Sequence, residues 1–243
     1  MTKEQLEEIQ RLRGLEASPK MIARQLGLRP AEVSEAIRKQ AIQAVEERRE
    51  RGELDPVHEC LVDEMTARYL LDGKPMGDSR DGLGSVIISR MERGKLSLCT
   101  FLVDYWCLGI KDADGPRRVD KPEYEARRDY VYSAYDGRYR HITVEQAQAI
   151  VYGAKEYAAT LGLEPHADAA RALEGLGKRP ETLFALEFGQ EGKPVFVNGP
   201  NDNFSVIKAK LDKSVGSDNY ESVFLSEYAF DFDENNEVLF LDD

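Results

Sequence analysis

The sequence predicts an α+β protein. A small all-α helix-turn-helix unit spans residues 1–52, and an α+β body with an antiparallel sheet spans residues 53–243. Two observations carry this. The first 52 residues hold three amphipathic helical stretches in a row. Further on, SVIISRM and LSLCTFLVDYW are rich in β-branched and aromatic residues and flank the turn ERGK, which is the signature of a hairpin.

Leu6, Ile9 and Leu12 recur at helical spacing, so residues 3–13 form the first helix. Ser18 is the expected N-cap of the second, with Pro19 at its first helical position. That helix runs to about Leu26, and Gly27 supplies the positive φ of a sharp turn. Pro30 opens the third helix. Val33, Ile37, Ala41 and Val45 form one stripe along it, and its charged end closes at Gly52 and Pro56. Ala23 and Gly27 stand four residues apart, with Ile22, Leu26, Leu28, Val33 and Ala36 where a helix-turn-helix buries its apolar side chains.

From His58 onward strands and helices mix. CLVDEMTARYL fits either, and the Gly- and Asp-rich LDGKPMGDSRDGLG is a loop. The hairpin of buried strands follows, and CLGIKDADGPRR leaves it as a loop. KPEYEARRDYVYSAY is a helix. TVEQAQAIVYGAKEYAATLG is another, with Thr143 as N-cap, Gly162 as stop, and an apolar face that includes Ala147, Ile150, Val151, Ala154 and Leu161. HADAARALEGL forms a short helix after Pro165, and a sub-boundary is expected near 178–182. TLFALEF and PVFVNG are read as a second hairpin, NFSVIKAKLDKSVG as a helix ended by Gly216, and the final acidic stretch as strands turning at Glu234–Asn236.

The net charge of −12 has the wrong sign for a protein that coats nucleic acid. It is unevenly spread: residues 1–52 hold 11 Lys/Arg against 9 Asp/Glu, and the rest 22 against 36. The acidity therefore lies outside the helix-turn-helix. No run of about 18 apolar residues occurs, and the N-terminus lacks the apolar centre of a signal peptide, so no membrane contact and a cytoplasmic location are expected. Three cysteines, Cys60, Cys99 and Cys107, argue against a disulfide framework. Cys99 and Cys107 sit in the most apolar stretch and read as buried thiols.

The outward positions of the third helix are Arg29, Glu32, Ser34, Glu35, Arg38 and Lys39. In DNA recognition such positions enter the major groove, so Arg29, Ser34, Arg38 and Lys39 are the candidate contacts to double-stranded DNA through residues 19–39. Glu32 and Glu35 oppose this, because carboxylates repel phosphate. The competing reading is a three-helix unit used for protein contact or packing.

Other constellations are weaker. Asp104, Asp112 and Asp114 lie near the end of a buried strand and, with Glu145, are the carboxylates a metal-dependent nuclease or hydrolase would use; loop-capping aspartates, with Asp104 paired to Lys111 or Arg117, are the plainer reading. His58, Cys60, Cys99, Cys107, His141 and His166 lack the close ligand pairs of a zinc site. At VNGPNDNFSVIK a helix start can hold an anion, or be capped by Asn201 or Asp202. Tyr124, Tyr130, Tyr132, Tyr135 and Tyr139, interleaved with Arg127, Arg128, Arg138 and Arg140, suit base stacking or, more simply, core and rim packing. Neither a P-loop nor a GxGxxG pattern occurs, so no cofactor is expected.

Four phrases taken together, SPKMIARQLGLRPAEVSEAIR, GLGSVIISRMERGKLSLCTFLVDYWCLGIKDA, IVYGAKEYAATLGLEPHAD and FGQEGKPVFVNGPNDN, resemble a group of bacterial proteins described only as helix-turn-helix domain-containing. The resemblance spans about residues 10–225, with FLVDYWCLGIKDA its most specific part. It implies a fold arrangement and a DNA-binding N-terminus; the leading expectation built on the helix-turn-helix is a regulatory protein whose body serves sensing, dimerisation or partner binding. It supplies no catalytic residues. The acidic FDFDENNEVLF lies outside it and makes the C-terminal region the candidate surface for a protein partner, as in an adaptor or inhibitor.

Overall fold

Pro19, Gly27 and Pro30 punctuate the N-terminal helices. Helix α1 (Lys3–Gly14) starts in a capping box between Thr2 and Gln5. Helix α2 (Pro19–Leu26) starts at Ser18, whose hydroxyl accepts the Met21 N–H, and ends at Gly27 with φ 66°. Helix α3 (Pro30–Glu50) follows. Ile9, Leu12, Ile22, Ala23, Val33 and Ala36 form the core, with Leu6, Leu26, Leu28 and Ile37 at its margin. The Gln40 amide donates to the Leu6 carbonyl at 2.8 Å and ties α3 to α1.

The computed structural model describes residues 1–51, 53–74 and 82–224, without the side chains of 41, 42, 45, 46, 48–50 and 224. The proposed Ala41 and Val45 part of the stripe and the Glu234–Asn236 turn therefore lie outside the described residues. The chain divides into two units, Met1–Pro56 and Val57–Asp243. Among the described residues no helix is long and apolar enough to cross a membrane.

The second unit is α+β. Its sheet is fully antiparallel in the order β4-β3-β2-β1-β5, from β1 (Val57–Asp63), β2 (Leu83–Glu92), β3 (Lys95–Asp104), β4 (Gly109–Val119) and β5 (Tyr139–His141). CLVDEMTARYL resolves into the end of β1, a helical turn α4 (Glu64–Thr66) and a π-helical turn (Ala67–Leu71). The hairpin of β2 and β3 turns through Arg93 and Gly94, both with positive φ.

Helices α6 (Val144–Thr160) and α7 (Ala169–Leu176) cover one face of the sheet, against Val62, Val86, Ile88, Phe101, Val103 and Ile110. Helix α5 (Lys121–Ser133) covers part of the other with Tyr124 and Tyr132, against Leu61, Ile87, Leu96, Leu98 and Val119. Burial on both faces is why CLV and VII read as unbroken apolar runs instead of alternating ones.

Three expectations are corrected. CLGIKDADGPRR is not a loop: its residues 109–118 form most of β4, the edge strand paired with β3, and its polar Lys111, Asp112 and Asp114 fit a strand with one open side. TLFALEF and PVFVNG do not form a hairpin. Instead β6 (Val195–Asn198) pairs in parallel with β7 (Glu221–Phe224) through helix α8 (Phe204–Ser214), and residues 182–188 carry no strand. The cap of α8 is neither Asn201 nor Asp202 but Asn203, whose oxygen accepts the Val206 N–H. Residues on both sides of 178–182 share one core, since Val195 and Val197 pack in the cluster that holds Val86 and Phe101.

Gly109 begins β4 with φ 72°, directly against α6. A Cβ there would sit 2.7 Å from the Ala158 Cβ and 2.9 Å from the Ala154 carbonyl oxygen. Gly109→Ala is expected to cost about 3 kcal/mol, combining a left-handed backbone with overpacking against a helix backbone. The shift in urea midpoint measures it.

Candidate nucleic-acid interface

The four predicted contact residues are all exposed, but they are not equivalent. Arg29 precedes α3. Its guanidinium donates to Glu32 at 2.7 Å, and its backbone N–H donates to the same carboxylate at 3.0 Å. Glu32 thus caps the helix it belongs to. The two Arg29 contacts hold its carboxyl down at about 2. Lys39 pairs with Glu35 at 2.9 Å, one turn apart, which keeps the Glu35 carboxyl below its ordinary range.

Glu32, Glu35 and Lys39, together with Ala36 and Gln43, recur every three or four residues and line one side of a groove of about 530 Å³ against Met1, Gln5 and Leu6. They form the flank of α3 that looks toward α1. Ser34 and Arg38, four residues apart, stand on the next stripe and are absent from that groove. On α2, Lys20 and Arg24 are likewise exposed and four residues apart. No ion pair involves Lys20, Arg24 or Arg38 among the described residues. The two glutamates that spoil the composition of this surface are therefore committed to Arg29 and Lys39. Lys20 and Arg24, which the sequence reading did not single out, had a legible signal: the i, i+4 spacing on α2, the helix that precedes α3.

The other constellations do not assemble. Asp104 is 1% exposed at the end of β3, and its Oδ1 accepts the N–H groups of Trp106 at 3.0 Å and Cys107 at 2.8 Å. Lys111 and Arg117 do not pair with it as expected; they pair with Asp202 at 2.6 Å and Asp114 at 3.1 Å. The strand end turns back sharply, so backbone donors reach Asp104 before any side chain does. Burial pushes its carboxyl up to about 7 despite those donors and the nearby Lys111. Asp63, at the end of β1, uses the same device toward Thr66 and Ser85. Asp112 is exposed on β4, and Glu145 is exposed in the first turn of α6. Among the described residues no group of three or more His, Cys, Asp or Glu side chains converges where a metal ion could sit.

Tyr124 and Tyr132 are core residues, while Arg127, Arg128, Arg138 and Arg140 are each engaged by a carboxylate: Glu123, Asp129, Asp136, and Glu64 with Asp72. This removes the free guanidinium groups that a stacking platform needs. At the start of α8 the Asp202 carboxylate accepts the Gly199 N–H at 2.8 Å, which places negative charge where an anion would bind.

All three cysteines are buried and unpaired, and burial raises their thiols, Cys60 to about 11 and Cys99 to about 12. Ellman's reagent at pH 8 is expected to find no reactive thiol in the folded chain and three after denaturation. A thiol that reacts within minutes in the folded state contradicts this.

No family model, curated protein or solved structure matches this chain.

Proposed function

We propose that the N-terminal unit docks α3 into the major groove of double-stranded DNA and that the protein is regulatory rather than enzymatic. The observation that carries this reading is the pairing of two exposed stripes, Ser34 with Arg38 on α3 and Lys20 with Arg24 on α2, on either side of the Gly27 turn. Arg38 reaches a guanine edge or a phosphate, Ser34 a base edge or phosphate, and Lys20 and Arg24 hold the backbone. Arg29 and Lys39 contribute less, because an approaching phosphate must first compete with Glu32 and Glu35.

The test is fluorescence anisotropy of a labelled duplex with the full chain. Binding is expected at low salt, with log K falling against log salt with a slope of about −3, one contact for each unpaired cation. No binding at 20–50 mM salt rejects the reading.

A further inference from the structure

We infer that the cleft between the last turn of α5 and the uncovered part of the sheet binds a small organic cation, an amine or guanidinium on an apolar stem. The inference is independent of the DNA reading. Helix α5 seals the second face of the sheet only over Leu61, Ile87, Leu96, Leu98 and Val119. Beyond its C-terminus the strands stay open at Thr100 and Leu102, and a cleft of about 460 Å³ remains, walled by Tyr130 and Tyr135 and edged by Asp112. That volume is in the range of small-molecule sites and is far below what a folded partner fills.

The lining has one electrostatic sign. Among the described residues no Lys, Arg or His side chain contributes to it. The carboxylate of Asp112 does, and so does the last turn of α5, whose carbonyls carry the negative end of the helix dipole. One Asp112 oxygen accepts the Ala113 N–H at 2.8 Å, and the other receives no hydrogen bond among the described residues. His166 Nδ1 lies 3.7 Å from the first oxygen and equally 3.7 Å from the Asp168 carboxylate, and its ring stands outside the cleft lining. Tyr130 is 80% exposed in that last turn, an aromatic face presented to solvent where packing does not require one. Tyr135 is fixed by a 3.1 Å hydrogen bond between its hydroxyl and Ser85. A cation between these rings and Asp112 gains cation–π and carboxylate contacts together, and its stem lies on Leu102. An anion meets the repulsion of the Asp112 carboxylate.

Calorimetric titration of the full chain with benzylamine, benzyl alcohol and benzoate separates charge from shape. Saturable binding is expected for benzylamine alone. Asp112→Asn should weaken it about tenfold and Tyr130→Ala several-fold, with both variants melting like the parent because both side chains are exposed. The inference is overturned if benzylamine does not saturate, if the alcohol or benzoate binds as tightly, or if Asp112→Asn leaves the affinity unchanged.

Discussion

Asp104→Ala is expected to lower the unfolding free energy by about 3 kcal/mol at pH 4.5, a loss that urea denaturation would measure. The variant leaves the buried N–H groups of Trp106 and Cys107 without an acceptor, and each orphaned donor costs about 1–3 kcal/mol. The pH matters, because the parent side chain is itself sensitive to it. Its carboxyl titrates near 3.8 in the unfolded chain and near 7 in the folded one. Below pH 4 both states hold the proton, and the group has no effect on stability. Between about 4 and 7 the unfolded chain releases a proton that the folded chain keeps, so stability falls as pH rises. Above 7 the full penalty, about 4 kcal/mol, is present. Asp104→Asn keeps an acceptor oxygen without the charge and is expected to flatten this slope. In the residual slope Asp63, whose carboxyl burial also raises, is set against Glu32, Glu35, Glu64 and Asp72, whose carboxyls their ion pairs hold down. The difference in slope between the parent and Asp104→Asn isolates this group, and identical slopes from pH 4 to 7 would refute the assignment.

On the proposed DNA reading, Arg38→Glu is expected to abolish duplex binding at 50 mM salt, a loss of at least about a hundredfold, whereas Lys39→Glu is expected to weaken it only a few-fold. Sequence spacing alone treats the two residues alike. Lys39 already neutralises Glu35 across one helical turn and borders the groove toward α1, while no carboxylate pairs with Arg38 among the described residues. On that reading, reversing Arg38 would remove one phosphate or guanine contact and add a repulsion at the same place. Because Arg38 is exposed, the circular dichroism and melting of the variant should match the parent. Equal effects of the two substitutions would favour a protein-contact role along the α1 groove over DNA.

Local chemistry was readable wherever a short segment settles its own structure. Ser18, Pro19 and Gly27 specify a cap, a helix start and a left-handed turn within ten residues, and Thr143 starts α6 through its own capping box. The β2–β3 hairpin was equally legible, since a tight turn between two apolar runs leaves one way to pair them. The core of the N-terminal unit followed from helical spacing alone.

What the sequence could not decide depends on groups distant along the chain. Asp104, Asp112 and Asp114 look alike as letters. The turn after β3 buries the first on backbone donors, while the edge position of β4 leaves the others at the surface. Lys111 takes Asp202, 91 residues away, in place of its near neighbour. β6 pairs with β7 across an intervening helix, which no turn signal announces. The sequence by itself thus determined the helix-turn-helix and the α+β class, because capping, turns and periodicity act over a few residues. Only the tertiary structure decided which charges are satisfied, which aspartate is buried and where a cleft stays open. Those outcomes follow from desolvation and from partners brought together by the chain's return, and neither is written in local sequence.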